Sequence, residues 1–199
     1  MEEPRQKSEK RDSGLSVVRN AANTPDYGKL PPQAVDLEEA VLGALMLDKE
    51  ALTDVIDILK KNSFYKDDHQ LIYEAILDLF QRSEPIDILT VTQELKKRGE
   101  LEIVGGPFYI AQLTNRVASS ANVEFHARII AQKHIQRELI KISSETIKQA
   151  YDETVDVFDL LDTAEAKLFE VAEGNIRRSY EDMNKLLHKA IKQLEIISK

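Results

Sequence analysis

The chain has 199 residues and no cysteine, and 42% of its residues are apolar, which is enough for a folded core of ordinary size. The lack of cysteine excludes a disulfide framework and a thiolate metal site. No apolar run approaches the roughly 20 residues of a membrane span and no secretory signal opens the sequence, so we expect a cytoplasmic protein without a membrane partner.

The net charge of -8 is concentrated in the middle of the chain. Residues 31–121 contain 16 acidic and 9 basic residues, and residues 122–175 contain 11 acidic and 6 basic residues. A protein that grips nucleic acid usually presents a basic face, because each neutralised phosphate releases counterions. The acidic body therefore argues against DNA binding as the primary role of this region, although it leaves room for a local basic patch.

Residues 1–30 are expected to form a disordered arm. They are polar and of mixed charge, and their apolar cluster consists of Leu15, Val17 and Val18. A segment that buries so little apolar surface cannot offset the entropy cost of folding.

Residues 31–121 predict a small helical head. Its first helix follows a Pro-Pro pair, with Asp36 as N-cap and Glu39 closing a capping box. A second helix is predicted over residues 52–59 and a third from Asp68, because apolar residues recur there at helical spacing. The apolar faces of the three helices comprise Leu37, Val41, Ala44, Leu45, Leu52, Val55, Ile56, Leu59, Ile72, Ala75, Ile76, Leu79 and Phe80.

Two further helices complete the predicted head. Thr90 and Gln93 form a Thr-x-x-Gln capping box for the fourth helix, and Gly99 ends it. A Gly-Gly-Pro turn then starts the fifth helix, with Pro107 at its first position. This pair of helices contains no group of catalytic type.

Residues 122–175 predict a long antiparallel helical hairpin. The first helix runs from Asn122 to about Ala150, and the second is capped by Asp156 and ends at Gly174. Two helices cannot bury all of their apolar faces against each other, so we expect the hairpin to self-associate. The residues expected to do so are Ile135, Leu139, Ile142, Val157, Leu161 and Leu168.

Residues 176–199 predict a separate linker with an amphipathic helix. Their composition is more basic, and Ser179 with Asp182 forms a start signal for the helix. An exposed apolar stripe would be a liability, so the helix either docks on a partner or folds back on its own head. The residues expected to dock are Met183, Leu186, Leu187, Ala190, Ile191 and Leu194.

The sequence contains no catalytic or metal-binding arrangement. None of the seven glycines belongs to a Gly-x4-Gly-Lys-Ser/Thr loop, so we expect no cofactor and no ATP hydrolysis by this chain alone. The four histidines lack metal-ligand spacing. We interpret Asp67, Asp68 and His69 as a helix N-terminus, where acidic residues suit the helix dipole.

Several aromatic residues lie at apolar helical positions without neighbouring clusters of arginine and lysine. This pattern favours a core or interface role over stacking on single-stranded nucleic acid. The residues are Tyr65, Tyr73, Phe80, Tyr109 and Phe125.

Three stretches carry a resemblance to a known family. They are PPQAVDLEEAVLGALML at 31–47, PIDILTVTQELKKRGELEIVGGPFYIAQLTNRVASSAN at 85–122 and ANVEFHARII at 121–130. In this order they resemble the N-terminal domain and linker of the bacterial replicative DNA helicase DnaB, over residues 31–199. The resemblance implies a helicase fragment that stops at Lys199, before the RecA-like motor domain and its Walker A loop.

The resemblance implies an all-α collar that assembles as dimers and trimers of dimers into a hexameric ring and recruits primase. It implies a full-length protein that unwinds duplex DNA with ATP and Mg²⁺, contacting DNA mainly through the missing motor domain. It further implies that the linker helix docks on the motor domain of the adjacent subunit. A helicase loader is an additional candidate partner, and the implied location is the nucleoid-associated replisome of the bacterial cytoplasm.

Resemblance and position together indicate four candidate contacts for primase. Asp36 lies at the first helix, Tyr109 in the helix after the Gly-Gly-Pro turn, and Ile140 and Thr146 on the hairpin. Thr146 fits least well, since a larger apolar residue is expected at a protein contact.

Two other interpretations remain open on the sequence. A free-standing helical adaptor, such as a helicase loader or regulator, would bind through its final helix and would need a natural stop after Lys199. A hydrolase that uses paired carboxylates is disfavoured, because no clustered acid pair lies where a cleft is expected.

Overall fold

The computed structural model describes residues 29–48, 50–115 and 122–173. Its regular elements are all helical in these ranges, which confirms the predicted all-α class. The chain divides into one unit of Met1–Leu30 and another of Pro31–Lys199, and every helix below belongs to the second. The arm predicted over residues 1–30 falls outside the described residues up to residue 28.

Seven α-helices and one short 3-10 helix follow one another in the described ranges. They are α1 (Val35–Leu47), α2 (Ala51–Val55), the 3-10 helix Lys61–Ser63, α3 (Asp67–Gln81), α4 (Ile88–Arg98), α5 (Gly106–Asn115), α6 (Val123–Ala150) and α7 (residues 157–173).

Helix α1 is the centre of the core. It is buried from Glu38 to Met46 apart from Ala40, and it packs against α3, α5 and α6. A helix that is apolar around most of its circumference can be stable only when other helices surround it in this way. The fully buried side chains of the core include Val41, Leu42, Leu45, Ile72, Ile76, Val91, Leu95, Ile110, Leu113 and Ile130.

Both capping boxes predicted in the head are wrong: α1 has none, and that of α4 lies three residues earlier. Helix α1 begins after Ala34, which has no side-chain cap, and Asp36 lies in the first turn, where its charge favours the helix dipole. Helix α4 is capped by Asp87, whose carboxylate accepts hydrogen bonds at 2.9 Å from the backbone N–H groups of Leu89 and Thr90. The Thr90 hydroxyl accepts in return from the Asp87 N–H, so Thr90 closes the box instead of opening it.

The second and third helices also differ from the predicted pattern. Helix α2 has five residues, and Leu59, predicted to lie on it, follows it in a turn yet remains buried. The Tyr73 hydroxyl donates to the Leu59 carbonyl at 3.2 Å, which holds this turn against α3. Phe80 is 41% exposed, so it lies at the edge of the core.

The turns around α4 and α5 follow the glycine signals. Gly99 ends α4 with a φ of +75°, and Gly105 and Gly106 have φ values of +93° and +76°. These are left-handed conformations that glycine adopts without strain. Helix α5 begins at Gly106, one residue before the predicted Pro107.

An ion-pair cluster joins α3 to α4. The buried Glu94 carboxylate accepts from Arg98 at 3.0 Å and from Arg82 at 2.8 Å, and Arg98 also pairs with Asp78. Arg98, followed by Arg82, holds the pKa of Glu94 below its usual value. The cluster therefore stabilises the packing of α3 against α4.

Helices α6 and α7 form the predicted hairpin within the described residues. Asp156 caps α7 by accepting from the backbone N–H groups of Phe158 at 2.8 Å and Asp159 at 3.3 Å. The Lys167 ammonium lies 2.8 Å from the Glu145 carboxylate across the hairpin, and this contact lowers the pKa of Glu145. The predicted stop at Gly174 lies outside the described residues.

We predict that Leu95→Ala lowers the free energy of unfolding by about 2–5 kcal/mol, because Leu95 is fully buried and the change leaves a cavity. Leu89→Ala on the same helix is the matched control. Leu89 is 79% exposed, so its change should stay within about 0.5 kcal/mol. Urea unfolding followed by circular dichroism measures both, and equal effects would contradict the packing described.

Candidate protein-interaction site

A chain of buried polar side chains links three helices of the head. The His69 ring in α3 places Nδ1 2.7 Å from Glu38 Oε2 in α1 and Nε2 2.8 Å from the Tyr109 hydroxyl in α5. His69 and Glu38 are 0% and 1% exposed. Tyr109 is half-buried, and its hydroxyl also lies 3.4 Å from Glu39 Oε1. This polar chain of Glu38, His69 and Tyr109 therefore extends from the interior to a tyrosine that reaches the surface.

Glu38 also organises the segment that precedes α3. Its Oε1 accepts from the Tyr65 backbone N–H at 2.7 Å, while Oε2 lies 3.5 Å from the Lys66 backbone N. A buried carboxylate is tolerated only when its oxygens are paired in this manner. Glu38 therefore fixes the approach of this segment to α1.

Arg137 anchors α6 to the same region. Its guanidinium donates to the Pro32 carbonyl at 2.9 Å and to the Ser63 carbonyl at 2.7 Å, and it lies 5.7 Å from the centre of the Tyr65 ring. Burial lowers the pKa of Arg137 from its usual value, and the nearby Glu38 carboxylate opposes this effect. Arg137 thereby joins α6 to the backbone before α1, at Pro32, and to the backbone after α2, at Ser63.

Charged groups of both signs lie close to Tyr109. The Lys66 ammonium lies 5.7 Å from the centre of the Tyr109 ring, and Glu39 lies beside its hydroxyl. Phe108, next to Tyr109 in the sequence, is 81% exposed. The first turn of α5 thus presents an exposed Phe108 next to the half-buried Tyr109, and aromatic residues are enriched where proteins contact one another.

The four candidate primase contacts lie at three places. Asp36 is exposed in the first turn of α1, Tyr109 belongs to the polar chain, and Ile140 is 54% exposed on α6. The Thr146 hydroxyl donates to the Ile142 carbonyl of its own helix at 2.8 Å. Ile140 and Thr146 are six residues apart, which places them about 120° apart around α6. The structure does not bring these two onto one face.

The residues predicted to self-associate fall into two groups. On α6, Ile135 and Ile142 line a cleft of about 440 Å³ between α6, α7 and the 3-10 helix, while Leu139 is 40% exposed. On α7, all of the predicted residues are exposed in the single chain. They are Val157, Leu161 and Leu168, and Phe158 and Phe169 are exposed beside them.

The residues predicted for linker docking, Met183, Leu186, Leu187, Ala190, Ile191 and Leu194, lie outside the described residues. In the described part of the chain, no group of three His, Cys, Asp or Glu side chains could hold a metal ion. None of the helices described there is both long and apolar enough to cross a membrane.

The polar chain through His69 was missed in the sequence analysis, which placed His69 only at a helix N-terminus. Glu38 and Tyr109 are 31 and 40 residues away from His69, so no local pattern joins them. A signal did exist, since Glu38 shares the apolar face of α1 with Val41 and Leu45, and His69 shares that of α3 with Ile72. An acid and a base on two core-facing stripes predict a buried pair.

Comparison with known proteins gives a consistent set of matches. A family model described as the DnaB-like helicase N terminal domain matches residues 30–132. The chain is 44% identical over 170 residues to the replicative DNA helicase DnaB of Rhodothermus marinus and 37% identical over 188 residues to that of Mycobacterium leprae. These alignments cover 85% and 94% of the chain but only 18% and 31% of those relatives. The chain therefore spans less than a third of their length.

Two solved structures share the fold. The N-terminal domain of DnaB helicase from Mycobacterium tuberculosis is 38% identical with a TM-score of 0.68, covering 71% of this chain and 99% of that one. A DnaB-like replicative helicase, described together with its interactions with primase, is 22% identical with a TM-score of 0.57 over 76% of this chain and 35% of that one. The second match, at this identity, shows similarity of fold alone.

We predict that Arg137→Met lowers the free energy of unfolding by about 2–4 kcal/mol, because two backbone carbonyls lose a charged donor. Arg128→Met is the control on the same helix. Arg128 forms an exposed ion pair with Glu124, so its loss should cost at most about 1 kcal/mol. If the two variants unfold at the same urea concentration, Arg137 does not anchor α6.

Proposed function

Because the chain belongs to the family of DnaB-like helicase N-terminal domains, we propose that it is the collar of a hexameric replicative DNA helicase. The collar holds the subunits together and recruits primase at the replication fork. The observation that carries this proposal is the family match over residues 30–132, joined to a fold similarity with a TM-score of 0.68. Its bacterial relatives named as replicative helicases support a location at the replisome, in the cytoplasm near the nucleoid.

In this proposal the chemistry belongs to the longer protein. A motor domain would use ATP and Mg²⁺ to translocate along one strand and unwind the duplex, and would provide most of the DNA contacts. The linker over residues 176–199 would dock on the motor domain of the adjacent subunit. We expect the chain alone to lack ATPase activity, and a helicase loader is a further proposed partner.

The exposed apolar face of α7 supports self-association. Val157, Leu161 and Leu168 lie within about 40° of one another around the helix, and Phe158 and Phe169 form a second row beside them. The five residues are between 47% and 73% exposed in the single chain. An apolar face of this width marks a protein interface when it occurs on a folded protein. A second copy of the hairpin would cover it, giving dimers that assemble as a trimer of dimers.

The placement of the four candidate residues constrains how primase would bind. Asp36 and Tyr109 belong to the head, whereas Ile140 and Thr146 point to different sides of α6. A primase that contacts all four would have to bridge head and hairpin, from the same subunit or from neighbouring subunits of the ring. Ile140 and Tyr109 are the strongest candidates, because each presents apolar surface without belonging to the buried core.

We predict that Leu161→Glu with Leu168→Glu weakens self-association at least about a hundredfold. Each leucine contributes roughly 1.5–3 kcal/mol on burial, and about 1.4 kcal/mol corresponds to a factor of ten. Leu89→Glu, at an exposed position of α4, is the control. Sedimentation equilibrium measures the association constant, and a parent chain that stays monomeric at its highest attainable concentration would refute the proposed interface.

We predict that Tyr109→Ala with Ile140→Ala weakens binding of primase from the same organism at least about tenfold, since both apolar contacts are lost. The control replaces Tyr151 and Ile147 by alanine, which are 87% and 44% exposed elsewhere on the hairpin. Calorimetric titration of primase into each variant gives the affinity, with circular dichroism as a check of folding. Unchanged affinity in the folded double variant would exclude this surface.

A further inference from the structure

The exposed apolar face of α7 carries an acidic side chain in its middle. Glu165 is exposed and lies about 80° around the helix from Val157, between the row that contains Leu161 and the row that contains Phe169. Any chain that covers both rows therefore takes Glu165 out of water. A carboxylate is tolerated in such a place only when a cation pairs with it.

Helix α7 does not supply that cation itself. Residues 157–173 contain five acidic residues and one basic residue, Lys167. The Lys167 ammonium lies on the inner side of the hairpin, 2.8 Å from the Glu145 carboxylate of α6. Asp162, exposed beside the row of Phe169, adds further negative charge. Packing α7 against α7 of a second copy would therefore place acids against acids, which is unfavourable.

The outward stripe of α6 is a better match in shape. In the outer half of this helix, four exposed and uncharged residues lie within about 60° of one another around the helix. They are Gln136, Ile140, Ser143 and Ile147. The small Ser143 leaves room beside the two isoleucines for an aromatic ring of the facing helix.

Cations border the outward stripe of α6. Lys141 and Lys148 are exposed and lie about 80–100° around the helix from Ile140. Lys141 also contributes to the cleft between α6 and α7. The two acids of residues 132–150, Glu138 and Glu145, line that cleft and so face the chain's own α7. The outward side of α6 thus combines apolar surface with positive charge.

We propose that α7 of each copy packs on the outward stripe of α6 of the other copy, so that Lys141 and Lys148 of one chain face Asp162 and Glu165 of the other. The inference rests on the self-association proposed above and specifies which helix of the second copy covers α7. A twofold axis makes the same contact twice. Because Ile140 is also a candidate primase contact, the test is made without primase.

The test is sedimentation equilibrium of the 199-residue chain with charges reversed on one helix at a time. In the α6 variant, Lys141→Glu with Lys148→Glu, acids of α6 would face acids of α7. We expect its association constant to fall at least about tenfold. The α7 variant, Asp162→Lys with Glu165→Lys, should lose as much, because cations then face cations.

An equimolar mixture of the two variants separates this pairing from other arrangements. In a mixed dimer one contact joins the reversed charges, again of opposite sign, and the other contact is unchanged. The mixture should therefore associate at least about tenfold more strongly than either variant alone. Absence of this recovery would overturn the pairing.

Other outcomes distinguish the pairing from self-association as such. If α7 packed on α7, the α6 variant would associate like the parent, and that result would overturn the pairing while leaving self-association intact. A parent chain that stays monomeric would refute self-association itself and the pairing with it.

A matched control accounts for the change in net charge. Lys96→Glu with Lys97→Glu reverses two exposed lysines of α4, which shifts the net charge as much as the α6 variant does. This control should associate like the parent, and circular dichroism checks that every variant keeps the helix content of the parent. A control that dissociates as readily as the α6 variant would show an effect of net charge alone and would overturn the pairing.

Discussion

The arrangement of the head depends on one buried carboxylate. Glu38 is 1% exposed inside the central helix, and a charge in that position is tolerated only if surrounding groups pair with it. The Tyr65 backbone and the His69 ring supply hydrogen bonds, and Arg137 supplies an opposing charge. These partners come from the segment before α3, from α3 and from α6. Satisfying one carboxylate therefore fixes how three parts of the chain meet α1.

The head and the hairpin use their apolar residues in opposite ways. In the head, nearly every large apolar residue at a helical core position is buried, and the polar groups among them are paired. On α7 the large apolar residues stay exposed, with Asp156 capping the helix and Lys167 joining it to Glu145. Lys167 and Glu145 thus join the two helices of the hairpin, while the apolar face of α7 stays exposed in the single chain. This division suits the self-association proposed above.

Local signals in the sequence predicted the helices but not the contacts between them. Helix α6, the Asp156 cap and the Gly99 stop were predicted because their causes lie within a few residues. The cap of α4 was predicted three residues too late, because Asp87 accepts from the backbone N–H groups of Leu89 and Thr90 and the helix therefore begins before Thr90. Helix α1 begins at Val35 without a side-chain cap, so Asp36 lies inside it. Helical spacing places Glu38 and His69 on the core-facing stripes of α1 and α3, but which residues of the two stripes meet depends on how the helices pack. The candidate primase contacts were predicted from resemblance, and their roles stay predictions.

Helix α6 belongs to both halves of the fold, and its length has a mechanical consequence. Its 28 residues extend about 42 Å. Its contribution to the head core ends near Ala131, and six residues later the guanidinium of Arg137 donates a hydrogen bond to the Pro32 carbonyl of the head. Beyond Arg137 the helix extends roughly 20 Å, past the cleft that it shares with α7 and the 3-10 helix, and the hydrogen bonds of this arginine to two backbone carbonyls join the outer hairpin to the head. A displacement of the outer end of the hairpin would therefore be transmitted to the head through this arginine. Pro32 and Ser63, whose carbonyls accept its hydrogen bonds, are the residues of the head that would receive it first.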